Sequence, residues 1–343
     1  MRKLVSVRRC NEVRAIPGAD RLDAVIVDGW QSVVQKGSFR PGDIGVYFEV
    51  DSFLPVSDSR YSQLFPLERM TWNDVIGIKV ATRELRGQVT QGLFMPLADF
   101  PELVGAEVGD DVSGRLGIKK YERDIPAELK GLVKGRAPGI IDDTALERIQ
   151  NIPDAFERWG EMEFEALIKL NGMSLTMFNF EGFRICSKEN EFIDTDANLP
   201  WVIAREQGIP EALARMGGHF AIQGELIGHN IGSNRERVPK GSYEFHIFNV
   251  WNIDASKSLL PPIRDEFLAR LLALGATSKL VPKLGPARKL KDFGPNQQAL
   301  LDLATGPSSL YPGGRREGLV FRSMTTQDRF KVISNKFLLK SKE

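Results

Sequence analysis

Lys169 stands between two largely apolar runs, Phe164-Glu165-Ala166-Leu167-Ile168 and Met173-Ser174-Leu175-Thr176-Met177-Phe178, and is followed by Leu170-Asn171-Gly172. Runs of this kind predict strands, and Asn-Gly between them predicts a tight turn. The lysine amine would then project from a strand end, where it can serve as a nucleophile once neutral. At an unperturbed pKa of about 10.4, roughly one lysine in a few thousand is neutral at pH 7. Positive charge nearby favours the neutral amine. Three more charged groups are embedded in apolar runs further along: Glu225 in Gln-Gly-Glu-Leu, Glu317 in Arg-Glu-Gly-Leu-Val and Lys331 in Arg-Phe-Lys-Val. One such charge is ordinarily an outward-facing residue on a half-buried strand. Four in one region, two of them beside glycine, form a candidate site.

The elements that must position these groups are legible in part. From about residue 145 the pattern is mixed. Strand-like runs lie at 220–227, 245–250, 318–321 and 329–333. Helices are punctuated between them: Pro210 to Gly217, Pro262 to Gly275, and a helix capped by Asn296 that ends near Gly306. This alternation predicts an α+β domain built on antiparallel sheets. The preceding hundred or so residues read differently. Short runs at 4–7, 22–27, 32–34, 44–50, 76–80 and 91–95, separated by turns such as Pro17-Gly18-Ala19-Asp20 and Arg40-Pro41-Gly42-Asp43, predict a small β-barrel.

Between these regions lies a basic stretch with Arg115, Lys119, Lys120, Arg123, Lys130, Lys134 and Arg136. We read three parts: a barrel over 1–118, a basic linker over 119–145 and a second domain over 146–343. A basic linker is usually only solvated, with phosphate contact as the alternative. Asp142-Asp143 reads as a helix start. Gly228 to Arg235 reads as a plain connection, with nucleic-acid contact as the alternative.

With 343 residues the chain has room for two domains, and 42% hydrophobic residues suffice for full cores. A net charge of +1 means that a polyanion must be held by a local cluster, not an overall field. Cys10 and Cys186 lie far apart, which fits a reducing compartment. His219, His229 and His246 lack short metal-ligand spacing, so no zinc site is expected. There is no run long enough to span a membrane and no Walker-type loop, which argues against a P-loop ATPase. The expected location is the cytoplasm, or that of a host cell if the gene is viral.

In combination and order, the charged groups resemble the covalent nucleotidyltransferase superfamily of ATP-dependent ligases and mRNA capping enzymes. Lys169-Leu-Asn-Gly resembles its Lys-x-Asp-Gly motif, and Ser187-Lys188 the basic motif that follows. Gly224-Glu225, Phe248, Glu317-Gly318 and Lys331 resemble the later ones. Arg83 to Leu93 resembles a stretch of OB-type tRNA-binding modules. A barrel that comes first resembles the RNA ligases typified by the Deinococcus and Naegleria enzymes. The stretches Glu147-Arg148-Ile149-Gln150-Asn151 and Ile333 to Leu338 are similar to that group as well.

The resemblance implies an OB-like barrel that binds RNA, followed by an adenylyltransferase domain. It implies ATP as cofactor, AMP carried covalently on Lys169, and Mg²⁺ or Mn²⁺ held by Glu225 and Glu317 through water. Lys169, Glu225, Glu317 and Lys331 would be catalytic. Ile168, Asn171, Gly172, Ser187, Lys188, Phe248, Arg148 and Lys336 would bind the nucleotide, with Phe248 stacking on adenine. The partner would be RNA with 3′-hydroxyl and 5′-phosphate ends, and the chain is expected to act as a monomer, without a membrane partner. Two departures stand out. Asn171 occupies the usual Asp position, and Ile333 occupies that of a second lysine after Lys331, for which Lys336 could compensate. We expect Asn171 to favour the neutral amine by removing a negative charge. The alternatives are a DNA ligase or capping-type enzyme, and a nucleic-acid-binding protein with weakened catalysis.

Overall fold

A computed structural model describes residues 3–62, 64, 68–121, 131–141 and 146–340. Arg123, Lys130, Asp142 and Asp143 lie outside the described residues, so the expectations placed on them are not addressed. The chain forms two compact units. Among the described residues, the first takes in 3–62, 64, 68–121, 149–154 and 338–340, and the second 131–141, 146–148 and 155–337.

The first unit is built from short antiparallel strands. Val5–Arg9 and Leu93–Pro96 both pair with Ile44–Phe48. Glu12–Ala15, Leu22–Val27 and Trp30–Gln35 form a meander. Ser52–Pro55, Val75–Lys79 and Arg69–Trp72 form a further sheet, joined by Lys119–Lys120. Val5, Val7, Val46, Phe48, Leu54 and Ile78 point inward and share one core. The short Ile149–Asn151 turn belongs to this unit. Gly29 donates to the Gln150 carbonyl, and Asn151 donates to Glu49 at 2.5 Å.

The second unit carries two sheets. In the smaller, Glu163–Lys169 lies between Arg288–Lys289 and Gly318–Ser323, with Arg329–Ile333 at the edge. In the larger, the order is Val133–Arg136, Asn190–Phe192, Phe183–Cys186, Met173–Asn179, Phe220–Gly228, Tyr243–Asn252 and Lys257–Ser258, with Lys279–Leu280 parallel to Tyr243–Asn252. The stretch expected as a linker is therefore built in at both ends: Lys119–Lys120 pairs within the first unit and Val133–Arg136 within the second.

Helices Leu199–Glu206, Ile209–Met216 and Pro261–Ala273 supply Trp201, Ile203, Leu213, Phe267 and Leu271 to a core shared with Leu175, Ile222, Leu226, Phe245 and Ile247. Alternation along the strands then leaves Glu225 and His246, which are cross-strand partners, on the opposite face. Asn296 caps its helix by accepting from the Ala299 amide.

The two sheets of this unit are fastened together. Val281 donates to Ile247, while Ile168 donates to Pro282, so one extended segment bonds to both. Arg264, fully buried on its helix, donates to both oxygens of the buried Glu165 at 2.5 and 2.8 Å. Lys283 lies 3.4 Å from the same carboxylate. Arg322 crosses from the smaller sheet to donate to the Phe248 and Leu259 carbonyls. Removing one partner of such a buried pair strands the other charge. Arg264→Leu should therefore destabilise the protein by about 3–5 kcal/mol in denaturant unfolding. Arg264→Leu combined with Glu165→Leu should recover most of that loss.

Candidate active site

Lys169 is the last residue of Glu163–Lys169, and the chain turns at Asn171-Gly172 into Met173–Asn179. The turn therefore passes from the smaller sheet into the larger. Gly172 has no room for a side chain, since a Cβ there would collide with the Leu226 carbonyl oxygen. Gly318 is pressed likewise against the Val332 carbonyl. These two glycines let neighbouring strands approach at the points where Lys169 and Glu317 emerge. That close approach, not a left-handed backbone, accounts for glycine beside each charge.

The charged groups converge. Lys169 pairs in register with Gly318, and its carbonyl accepts from the Glu317 amide at 3.0 Å. Its Nζ donates to Glu317 Oε2 at 2.6 Å. Glu225 accepts from the Gly172 amide at 2.9 Å. Lys331 lies on the outer strand of the same small sheet and forms a bridge with Arg148, while its amide donates to Glu147. Arg148 is buried and close enough to Lys169 to oppose its charge.

Burial pulls the Lys169 pKa down, but Glu317 and Glu225 more than offset it and hold the amine above its ordinary range. Asn171 adds no negative charge of its own beside this amine. Burial pushes Glu225 up to about 7, with Lys169 opposing and Glu317 adding to the rise.

The other expected residues are placed as follows. Ile168 is buried, so only its backbone is available. Asn171 accepts a hydrogen bond from Ser233 at 3.3 Å. Ser187 and Lys188 form the turn between Phe183–Cys186 and Asn190–Phe192. Register pairs Cys186 with Thr176, which puts this turn at the Gly172 end of the sheet. Phe248 sits at a β-bulge, half-buried, with its carbonyl held by Arg322. Lys336 is exposed at the start of Asn335–Lys340, and no contact brings it to Lys169 among the described residues. Ile333 is buried opposite Gly318, as a core residue.

One residue was missed. Glu236, in the loop after the Glu225 strand, is buried and accepts from the Asn171 amide at 3.1 Å. Its context, Asn234-Arg235-Glu236-Arg237, reads as solvated charge, and no sequence signal marks it.

A family model described as RNA ligase matches residues 162–333, and one described as an OB-fold domain matches residues 4–97. The Naegleria gruberi RNA ligase, as an apo point mutant, is 37% identical with a TM-score of 0.92 over 99% of this chain and 98% of that one. This chain belongs to the RNA ligase family. The same Naegleria enzyme with PPi is 38% identical with a TM-score of 0.91, covering 100% of this chain and 99% of that one. A further point mutant with ATP and Mn is 36% identical with a TM-score of 0.91, covering 100% of both chains. A comparison with curated proteins gives no match.

The predicted barrel is thus the OB-fold domain of an RNA ligase, and the second unit carries the ligase domain. Among the described residues, no helix is long and apolar enough to cross a membrane. Nor do three His, Cys, Asp or Glu residues form a group that could hold a metal ion. Oxygen donors at Glu225 and Glu317 nonetheless suit a hard cation that keeps its water shell and is shared with phosphate oxygens.

The Glu225 shift sets a pH dependence. Its folded pKa, about 7, lies above the ordinary 4.5. Between those values only the folded protein holds the proton, so stability falls as pH rises and the loss is complete above about 7. Glu225→Gln mimics the protonated form and should lack this slope. Without metal or nucleotide, its unfolding free energy relative to wild type should rise by about 2 kcal/mol between roughly pH 5 and 8.

Proposed function

We propose that this RNA ligase uses ATP to join RNA 3′-hydroxyl and 5′-phosphate ends through an adenylate carried on Lys169. The observation that carries this is the convergence of Lys169, Glu317 and Glu225 at one glycine-bearing turn. The amine of Lys169 attacks the α-phosphorus of ATP. A P–N bond forms and the P–O bond to pyrophosphate breaks, while the ammonium gives up two protons to solvent and keeps one N–H in the phosphoramidate. An oxygen of the RNA 5′-phosphate then attacks the lysine-bound phosphorus, breaking the P–N bond and returning the amine. The RNA 3′-hydroxyl finally attacks the activated phosphate, forming the new diester and releasing AMP.

Phosphoryl-type transfer depends mainly on positioning and charge neutralisation. Glu317 fixes the direction of the Lys169 amine. Glu225 fixes the turn through Gly172 and, with Glu317, would hold the waters of a Mg²⁺ or Mn²⁺ ion. That ion supplies positive charge beside the α-phosphate. Lys331, and Arg148 bridged to it, would meet phosphate charge, Lys188 would meet the leaving phosphates, and the Phe248 side chain would stack on adenine. The OB-fold domain would contribute RNA contact, and the chain would act as a monomer in the cytoplasm. Retention of the whole charged set argues against a binding protein with decayed catalysis.

Incubation with α-labelled ATP should label the wild-type protein covalently, and Lys169→Ala should abolish the label. Nicked RNA with 3′-hydroxyl and 5′-phosphate ends should then be sealed in preference to nicked DNA. An unlabelled wild-type protein, or labelling that survives Lys169→Ala, would sink the reading.

A further inference from the structure

The turn that carries Lys169 is gripped at two successive amides by two different carboxylates. Gly172 donates to Glu225, and Asn171 donates to Glu236. Glu225 belongs to the sheet, whereas Glu236 arrives from the loop that follows it. The same loop reaches the Asn171 side chain through Ser233.

Glu236 is only 1% exposed. One of its oxygens holds the Asn171 amide, and the other has no hydrogen-bond partner. The buried Ser308 hydroxyl is near enough to Glu236 to lower its pKa as a hydrogen-bond donor, although neither atom meets strict hydrogen-bonding geometry. Burying a carboxylate without filling both oxygens is costly and is not needed to hold one backbone amide, which a neutral acceptor could also do. The charge itself therefore needs a purpose. Burial pushes the Glu236 pKa up. The carboxylate also lies in the field of Glu317 and Lys169, and Glu225 in turn feels Glu236. Residue 171, two positions after Lys169, is an uncharged amide.

We propose that Glu236 is the third acidic group of this site, a positioning residue with two tasks. One oxygen clamps the backbone of the Lys169 turn. The other, with its charge, accepts from the water shell of the divalent cation that accompanies the nucleotide. The negative charge that Asn171 does not bring is thus supplied through its own backbone contact. This inference rests on the adenylation of Lys169 proposed above.

Glu236→Gln keeps an oxygen for the Asn171 amide and removes the charge, which separates the two tasks. Covalent labelling by α-labelled ATP is followed against Mn²⁺ concentration in wild type, in Glu236→Gln, and in Glu236→Gln combined with Asn171→Asp. Hydrogen exchange of the 168–173 backbone is measured in the same proteins without nucleotide. Glu236→Gln should keep the protection of these amides yet need about tenfold more Mn²⁺ for half-maximal labelling, the scale of a lost outer-shell partner of a metal. Adding Asn171→Asp should bring the requirement back towards wild type. A wild-type Mn²⁺ requirement in Glu236→Gln would overturn the proposal, as would loss of amide protection in step with labelling, or no recovery with Asn171→Asp. If wild type itself takes no label, the adenylation reading fails first, and the two failures are distinguishable.

Discussion

The ion pair between Lys169 and Glu317 is the contact around which the catalytic unit is arranged. It forms between neighbouring strands of one small sheet, at 2.6 Å. Beside it, Gly318 lets the strand that follows Glu317 pack closely against Arg329–Ile333. The placement of the pair also depends on the larger sheet, since the Lys169 strand turns directly into Met173–Asn179 and is held there by Glu225. A shift of one sheet against the other would part Lys169 from Glu225, whose charge it feels. The buried Arg264–Glu165 pair and the Arg322 bonds to the Phe248 and Leu259 carbonyls oppose that shift. These groups lie away from the chemistry, yet they fix the distance on which it depends.

Much of this was legible from residue types because the site repeats one device. A charge stands beside a glycine in an otherwise apolar strand, at Glu225 and Glu317, and just ahead of one at Lys169. Each glycine marks a close backbone approach, and close approach is what brings distant strands into one site. The helix limits were legible for a similar local reason, since Pro, Gly and an Asn cap act within a turn. The OB-fold strands were less complete. Ser52–Pro55 and Arg69–Trp72 were not anticipated, because short strands with mixed composition carry little periodicity.

What stayed hidden was long-range pairing of charges. Arg264 sits next to Asp265 in a helix, a context that reads as exposed, and it is fully buried because Glu165 waits 99 residues earlier. Glu236 was hidden in the same way, between two arginines in a loop. Lys336 is a different case. Its charge and its place after Lys331 suggested a substitute for the lysine that Ile333 replaces, but the start of a helix carries it to an exposed position. Ile333 itself is explained by packing: opposite Gly318, it fills core that a charged side chain would have to leave.

The electrostatic state of the site follows from these positions. Lys169 faces Glu317 and Glu225, with Glu236 behind the turn, so the amine is held protonated and Glu225 is reluctant to ionise. Such an arrangement is stable but unreactive, because a protonated amine has no lone pair to offer. In the adenylation proposed for Lys169, attack on phosphorus requires that the carboxylates find another cation to balance them. Positive charge arriving beside the phosphates draws on the same glutamates that hold the amine charged. It weakens their hold on the lysine proton at the moment the substrate is in place. In the proposed reaction, the glutamates that fix the Lys169 amine are thus the groups whose partners must change for it to attack, which couples substrate loading to activation.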